Sequence, residues 1–225
     1  MADEPDDLDS PVGYASPPCF MHEIDPGYAG LTVTDEQARR DVARWRKAER
    51  ERLIALRLAF SVETRRGFDA RIGAALDAAL GDVRGKTVAT YWPFRGEPDL
   101  RGWMERVIAR GGACALPVVV KKAAPLIFRP WRPGAAMERG VWNIPIPSEG
   151  PEIAPDIVIS PVVGFDRERY RLGYGGGYYD RTMAAAPEGT RLIGVGYAAQ
   201  AIATIYPQSY DIPMDEILTE DGPVG

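Results

Sequence analysis

The chain has 225 residues, 45% of them apolar, with a net charge of −5 and a pI near 5.1. That size suits one sizeable core, and the acidic balance excludes nucleic acid or a membrane surface as partner for the whole molecule. Cys19 and Cys114 offer neither a disulfide framework nor a zinc spacing, so a reducing cytoplasm is expected. The acidic start has no basic region followed by an apolar stretch, so no secretory signal is expected. No apolar run approaches the ~18 residues of a membrane span. With His22 as the single histidine, a His-rich metal site is impossible, and a Ser-His-Asp or Cys-His hydrolase would have to recruit it from the N-terminal segment. The chemistry is left to carboxylates, tyrosines, arginines, backbone dipoles or a bound ion.

Residues 1–33, acidic and then rich in Pro and Gly, read as an arm outside one α/β domain over 34–225. Pro17 to His22 carries enough apolar bulk to dock on its own subunit or a neighbour. Thr34 with Gln37 forms a capping box opening a helix to Phe60, and Val42, Trp45, Leu53, Leu56 and Phe60 share one stripe. Arg46, Arg50 and Arg57 fall beside that stripe, where a core meets its rim; a solvated basic face is the alternative. Ser61 caps a second helix to Leu80, with Phe68, Ile72, Leu76 and Leu80 on its apolar face, broken by Gly81 and Gly85.

Thr87–Tyr91 reads as a short, central, parallel strand. Asp99 caps a helix over Leu100–Arg110, closed by Gly111 and Gly112. Ala113–Val120, Leu126–Phe128, Asp156–Ile159 and Arg191–Gly196 are further strands. Pro130–Pro155 is a long Pro-rich connection, of the irregular kind that is often functional. Strands alternating with helices imply a three-layer αβα fold with a mostly parallel sheet. Ligands of such sheets sit outside the carboxyl ends of the strands. The rim there should gather Trp92, Glu97, Trp142, Tyr174, Tyr178, Tyr179 and Tyr197. Such aromatics suit a flat heterocycle, and Glu97 suits its ring N–H groups; core packing, or for Glu97 a helix-start role, is the alternative.

The densest signal is Arg171-Leu172-Gly173-Tyr174-Gly175-Gly176-Gly177-Tyr178-Tyr179-Asp180-Arg181. Four glycines in five positions let the backbone approach a ligand closely, and a helix over Gly177–Ala186 would aim its N–H groups at an anion. Arg171 and Arg181 bracket the loop, and Asp180 offers one hard oxygen for Mg²⁺ beside phosphates. Neither a Walker A loop nor a dinucleotide fingerprint fits, because Tyr178-Tyr179 follows the last glycine. A Gly-rich turn before a helix, its aromatics in the core, is the competing reading.

This stretch resembles the signature of the 5-formyltetrahydrofolate cyclo-ligase family. Tyr91-Trp92-Pro93 with Glu97, Trp142-Asn143-Ile144-Pro145-Ile146-Pro147, and Asp211-Ile212-Pro213-Met214-Asp215 also resemble that family, in the right order. The likeness runs from about Trp45 to Glu220. It implies ATP-binding by Arg46, Arg50 and residues 171–179, folate contacts from Trp92, Glu97, Trp142 and Tyr178, and Mg²⁺ at Asp180. Catalytic roles fall to Tyr178 and Arg171. The implied reaction is ATP-dependent cyclisation of 5-formyltetrahydrofolate to 5,10-methenyltetrahydrofolate, by a cytoplasmic monomer or homodimer. The pattern departs from some members at Gly176, where they carry Lys, and at Gln208-Ser209-Tyr210, where they carry a carboxylate. A non-catalytic folate- or nucleotide-binding paralogue, and more distantly a sugar-phosphate or CoA-ester enzyme on the same scaffold, are the alternatives.

Overall fold

Ser61 starts the first fully described helix-to-helix connection as its residue type demands. Its Oγ accepts the Thr64 N–H at 3.0 Å and ends the approach from the preceding helix. The computed structural model describes residues 35–225. The expectations for residues 1–33, Cys19, His22 and the Thr34 cap lie outside them. The described residues divide into two units, one ending at Arg52 and the other running from Leu53 to Gly225. Helix α1 (Asp35–Leu58) begins in the first and ends in the second.

The rest follows in chain order as α2 (Val62–Leu80), β1 (Thr87–Ala89), α3 (Arg101–Ala109), β2 (Ala113–Val118), β3 (Ile127–Trp131), β4 (Met137–Arg139) and β5 (Pro145–Pro147). Then come β6 (Ile157–Pro161), β7 (Gly164–Phe165), β8 (Arg171–Leu172), α4 (Tyr178–Ala184), β9 (Arg191–Val195), β10 (Glu216–Thr219) and β11 (Gly222–Pro223). Seven strands form one sheet in the order β11-β10-β9-β6-β1-β2-β3. The five inner strands are parallel; β3 and β11 join antiparallel at the edges.

Alternation along the strands builds two cores. Val88, Cys114, Leu116, Ile157, Ile159, Ile193, Val195 and Leu218 pack with Ile72, Leu76 and Leu80 of α2 and Trp103, Met104 and Val107 of α3. Their neighbours Ala89, Ala115 and Val158 face the other way, against Leu126, Phe128, Tyr178 and Tyr179. Ile217 joins Met183 of α4 on that second face. The strict period of two is what puts helices on both faces. Among the described residues no helix is long and apolar enough to cross a membrane.

Two local expectations change, and one motif gains a structural role. The N-cap of α3 is Leu100; Asp99 instead takes the Arg101 N–H on Oδ1 at 3.1 Å and pairs with the Arg101 guanidinium. The Pro-rich connection is not irregular throughout: β4 and β5 pair as an antiparallel hairpin whose tip carries Trp142. Asp211 to Asp215 is a structural brace. Asp215 accepts the Leu192 N–H at the start of β9, Met214 is buried beside Phe165, and Asp211 takes the Gln208 N–H.

Candidate active site

The strand order reverses beside β1: β2 lies on one side and β6, β9 and β10 on the other. The connections leaving the carboxyl ends of β1 and β6 therefore part around a crevice, the usual ligand position in open α/β sheets. Residues 90–99 leave β1 there, and Val162 and Val163 leave β6.

Arg57, in the last turn of α1, is buried to zero exposure at this point. Its Nε donates to the Arg95 carbonyl at 2.8 Å, Nη2 to the Phe94 carbonyl at 3.3 Å and Nη1 to the Val162 carbonyl at 3.4 Å. Nη2 also donates to the Tyr174 hydroxyl and lies 3.7 Å from Glu97 Oε1. One guanidinium thus ties the connections after β1 and β6 to the glycine loop. The sequence places Arg57 beside the apolar stripe, at the rim of the core, and the structure buries it fully. Its signal was position: four residues after Leu53, it falls on the buried stripe itself.

Glu97 is 5% exposed. Its Oε2 accepts the Phe94 N–H at 2.8 Å and its Oε1 accepts the Tyr174 O–H at 2.9 Å. Burial pushes its carboxyl up to about 7, against the pull of Arg57 and these two hydrogen bonds. The side chain faces the glycine loop, not the start of α3.

Rings close the same cluster. Trp142 stacks on Phe94 at 6.2 Å with planes 10° apart, and Tyr174 lies 5.8 Å from each. Trp142 is 53% exposed and has φ 56°, with Asn143 at φ 61° beside it. Two consecutive non-Gly residues in the left-handed region are backbone strain of the kind that collects at functional sites. Phe94 was missed in the sequence because it belongs to no motif quoted there.

The glycine loop runs from β8 to α4. Gly175 has φ 92°, which a side chain would strain. Gly176 has no room for one: a Cβ would stand 2.9 Å from the Tyr178 ring. α4 has only seven residues and no side-chain cap at Gly177, so its macrodipole is small. Arg171 is buried beneath the loop. Its Nη2 pairs with Asp180 Oδ1 at 2.9 Å, its Cζ lies 5.2 Å from the Tyr179 ring centroid, and its Nε has no hydrogen-bond partner. Arg181 Nη1 donates to the Gly176 carbonyl at 2.9 Å. Tyr178 and Tyr179 both rest on the core patch of Ala89, Ala115 and Val158.

Of the residues expected at the rim, Glu97, Trp142 and Tyr174 come together directly. Trp92 lies against Trp131 at 6.4 Å and under the Arg101 guanidinium at 5.2 Å. Tyr197 is not a rim residue: it is fully buried, its ring 5.3 Å from Phe60 and 5.5 Å from Phe68. It caps β9 from the core side because the next residues turn inward around Gln200, whose Nε2 donates to the Val163 carbonyl at 2.7 Å. Arg46 and Arg50 stand one turn apart on one face of α1, in the first unit, and Arg46 is buried. Among the described residues, no three His, Cys, Asp or Glu side chains group as a metal site.

A doubly wound sheet with a glycine loop, a buried carboxylate and stacked rings over its switch point defines an α/β enzyme for small molecules. The chain belongs to the 5-formyltetrahydrofolate cyclo-ligase family, whose profile matches residues 42–220. It is similar to the 5-formyltetrahydrofolate cyclo-ligase of Mycolicibacterium smegmatis, 31% identical over 145 residues, covering 61% of this chain and 75% of that one. The Escherichia coli enzyme of that name is 30% identical over 144 residues, covering 61% and 79%. In structure it is similar to Aquifex aeolicus 5,10-methenyltetrahydrofolate synthetase, with TM-score 0.69 and 29% identity over 79% of this chain and 91% of that one. The Mycoplasma pneumoniae synthetase shares the fold at TM-score 0.64 and 24% identity, over 78% and 98%.

Proposed function

We propose that this chain is a 5-formyltetrahydrofolate cyclo-ligase that uses Mg-ATP to make 5,10-methenyltetrahydrofolate, ADP and phosphate, as a cytoplasmic monomer or homodimer. The observation that carries this reading is the hydrogen bond from Tyr174, inside the glycine loop, to buried Glu97 at the switch point. It joins a backbone suited to phosphates to a carboxylate suited to ring N–H groups. Family membership supports the substrate class.

The formyl group on N5 is an amide, and its oxygen leaves poorly. Attack of that oxygen on the γ-phosphorus breaks the bond to ADP and forms an imino-phosphate. N10 then attacks the activated carbon, the carbon–oxygen bond breaks, phosphate departs with both electrons, and the N10 proton goes to solvent or phosphate. Such transfer depends on positioning and charge stabilisation, and no protein nucleophile is needed.

Each residue has a part in this reading. Trp92, Glu97 and Trp142 hold the folate ring. Tyr178, over the sheet beside the loop, fixes the formyl oxygen. Leu172, Gly173, Tyr174, Gly175, Gly176, Gly177 and Tyr179 cradle the phosphates, with Arg171 supplying positive charge from beneath. Arg46 and Arg50 are carried over from the family likeness as phosphate contacts. Mg²⁺ would offset charge on the β- and γ-oxygens. Asp180 fits it as a single carboxylate beside phosphates, its direction fixed by Arg171.

The test is purified protein with 5-formyltetrahydrofolate and Mg-ATP, following methenyl absorbance and ADP together. Equal rises in both are expected. Folded protein that binds both ligands and releases no ADP would replace this reading with a non-catalytic binder.

A further inference from the structure

Tyr174 belongs to the glycine loop and its ring packs partly on Leu53, Val163, Leu172 and Ile205, yet its hydrogen bonds and aromatic contacts reach the other side of the crevice. Its hydroxyl donates to Glu97 and accepts from Arg57. Its ring lies 5.8 Å from Phe94 and from Trp142, with the Arg57 guanidinium 5.6 Å from its centroid. Arg57 in turn holds the carbonyls of Phe94 and Arg95, the segment that also supplies the N–H to Glu97. Gly175, with φ 92°, follows Tyr174 directly, so the bend that presents the side chain depends on a glycine backbone. Displacing the loop must therefore break the Glu97 hydrogen bond and take away the ring that backs Trp142. Conversely, fixing Glu97 and Trp142 places the loop.

We propose that Tyr174, held by Arg57, is a latch through which nucleotide and folate strengthen each other's binding. This rests on the function proposed above. Whichever ligand arrives first strengthens the hold of the loop on Glu97, and the second then meets a backbone already held. The coupling is reciprocal because it is a free energy shared by two sites. Arg57 and Tyr174 act here as positioning residues.

The experiment is calorimetric titration of 5-formyltetrahydrofolate into the full chain, with and without a β,γ-methylene ATP analogue and Mg²⁺, and the reverse titration. For the wild type, each ligand is expected to tighten the other by at least about fivefold, by the same factor in both directions. In Tyr174→Phe that factor should fall to within about twofold of unity. The factor is a ratio taken inside one variant, so a change in either affinity alone cancels from it. Arg57→Lys, which keeps the charge but not the fork, should give an intermediate factor if it folds; Tyr174→Phe decides the matter if it does not. Both ligands binding the wild type without mutual effect, or Tyr174→Phe keeping the full factor, would overturn the latch alone. Failure of the wild type to bind one of the ligands would overturn the functional reading and the latch with it.

Discussion

Glu97 has both oxygens engaged inside the protein, and it still lies in a place that disfavours its charge. Below the ordinary glutamate range both folded and unfolded chains carry the proton. As pH rises from about 4.5 to about 7 the unfolded chain loses it first, so folded stability falls across that window and stays lower above it. The size of the effect is on the order of 3 kcal/mol. Asp69, raised to about 6 mainly by burial, adds to the same slope. Glu97→Gln should therefore flatten most of the decline in melting temperature between those pH values, leaving the Asp69 part. In the proposed function Glu97 accepts from the folate as a carboxylate, so folate binding should show the opposite trend and strengthen as pH rises through about 7. Parallel trends in stability and binding would contradict this use of Glu97. Arg57 is the other half of the pair. Arg57→Met strips partners from the Phe94, Arg95 and Val162 carbonyls and from Glu97. A loss of about 3–5 kcal/mol in denaturant unfolding is expected. The double variant Arg57→Met with Glu97→Gln should cost less than the two separate losses added, because they share one network.

At the level of elements, the loop and the β4–β5 hairpin divide stability from binding. Gly175→Ala forces a side chain into φ 92° and should cost about 1–2 kcal/mol on thermal unfolding, while raising KM for ATP. Trp142 is half exposed at a hairpin tip, so Trp142→Ala should change stability by about 0.5 kcal/mol or less yet raise KM for the folate at unchanged KM for ATP. Equal effects on both substrates would place Trp142 outside the folate wall. The hairpin also shows why a Pro-rich segment is hard to read in advance. Pro145 and Pro147 suit an edge pair with few backbone donors, and nothing local distinguishes that from a loop.

In the whole molecule, what was legible is what depends on periodicity and on local chemistry. The i, i+4 stripe of α2, the Ser61 cap and the apolar runs of β1, β2, β6 and β9 all stand where their patterns put them. The glycine loop and Glu97 were legible as motifs. The link between them was not, because Arg57, Phe94 and Tyr174 meet across 117 residues of chain, and only the sheet order brings them together. Tyr197 misled because following a strand's carboxyl end fixes the rim but not which way a side chain turns. β10 and β11 escaped because four- and two-residue strands carry almost no alternation.

The antiparallel border strands have one more effect. Ala115 offers its carbonyl to Thr90 on the inner side, so Pro130, directly opposite it, turns its main chain outward without an N–H to give. The Phe128 carbonyl beyond is already taken by Ile153, and Gly150 lies against the Pro130 ring. At the far border β11 is two residues long and ends in Pro223. A β-strand from another molecule therefore meets an incomplete row of donors at either margin, and Pro130 and Pro223 help to keep the sheet from growing into fibres.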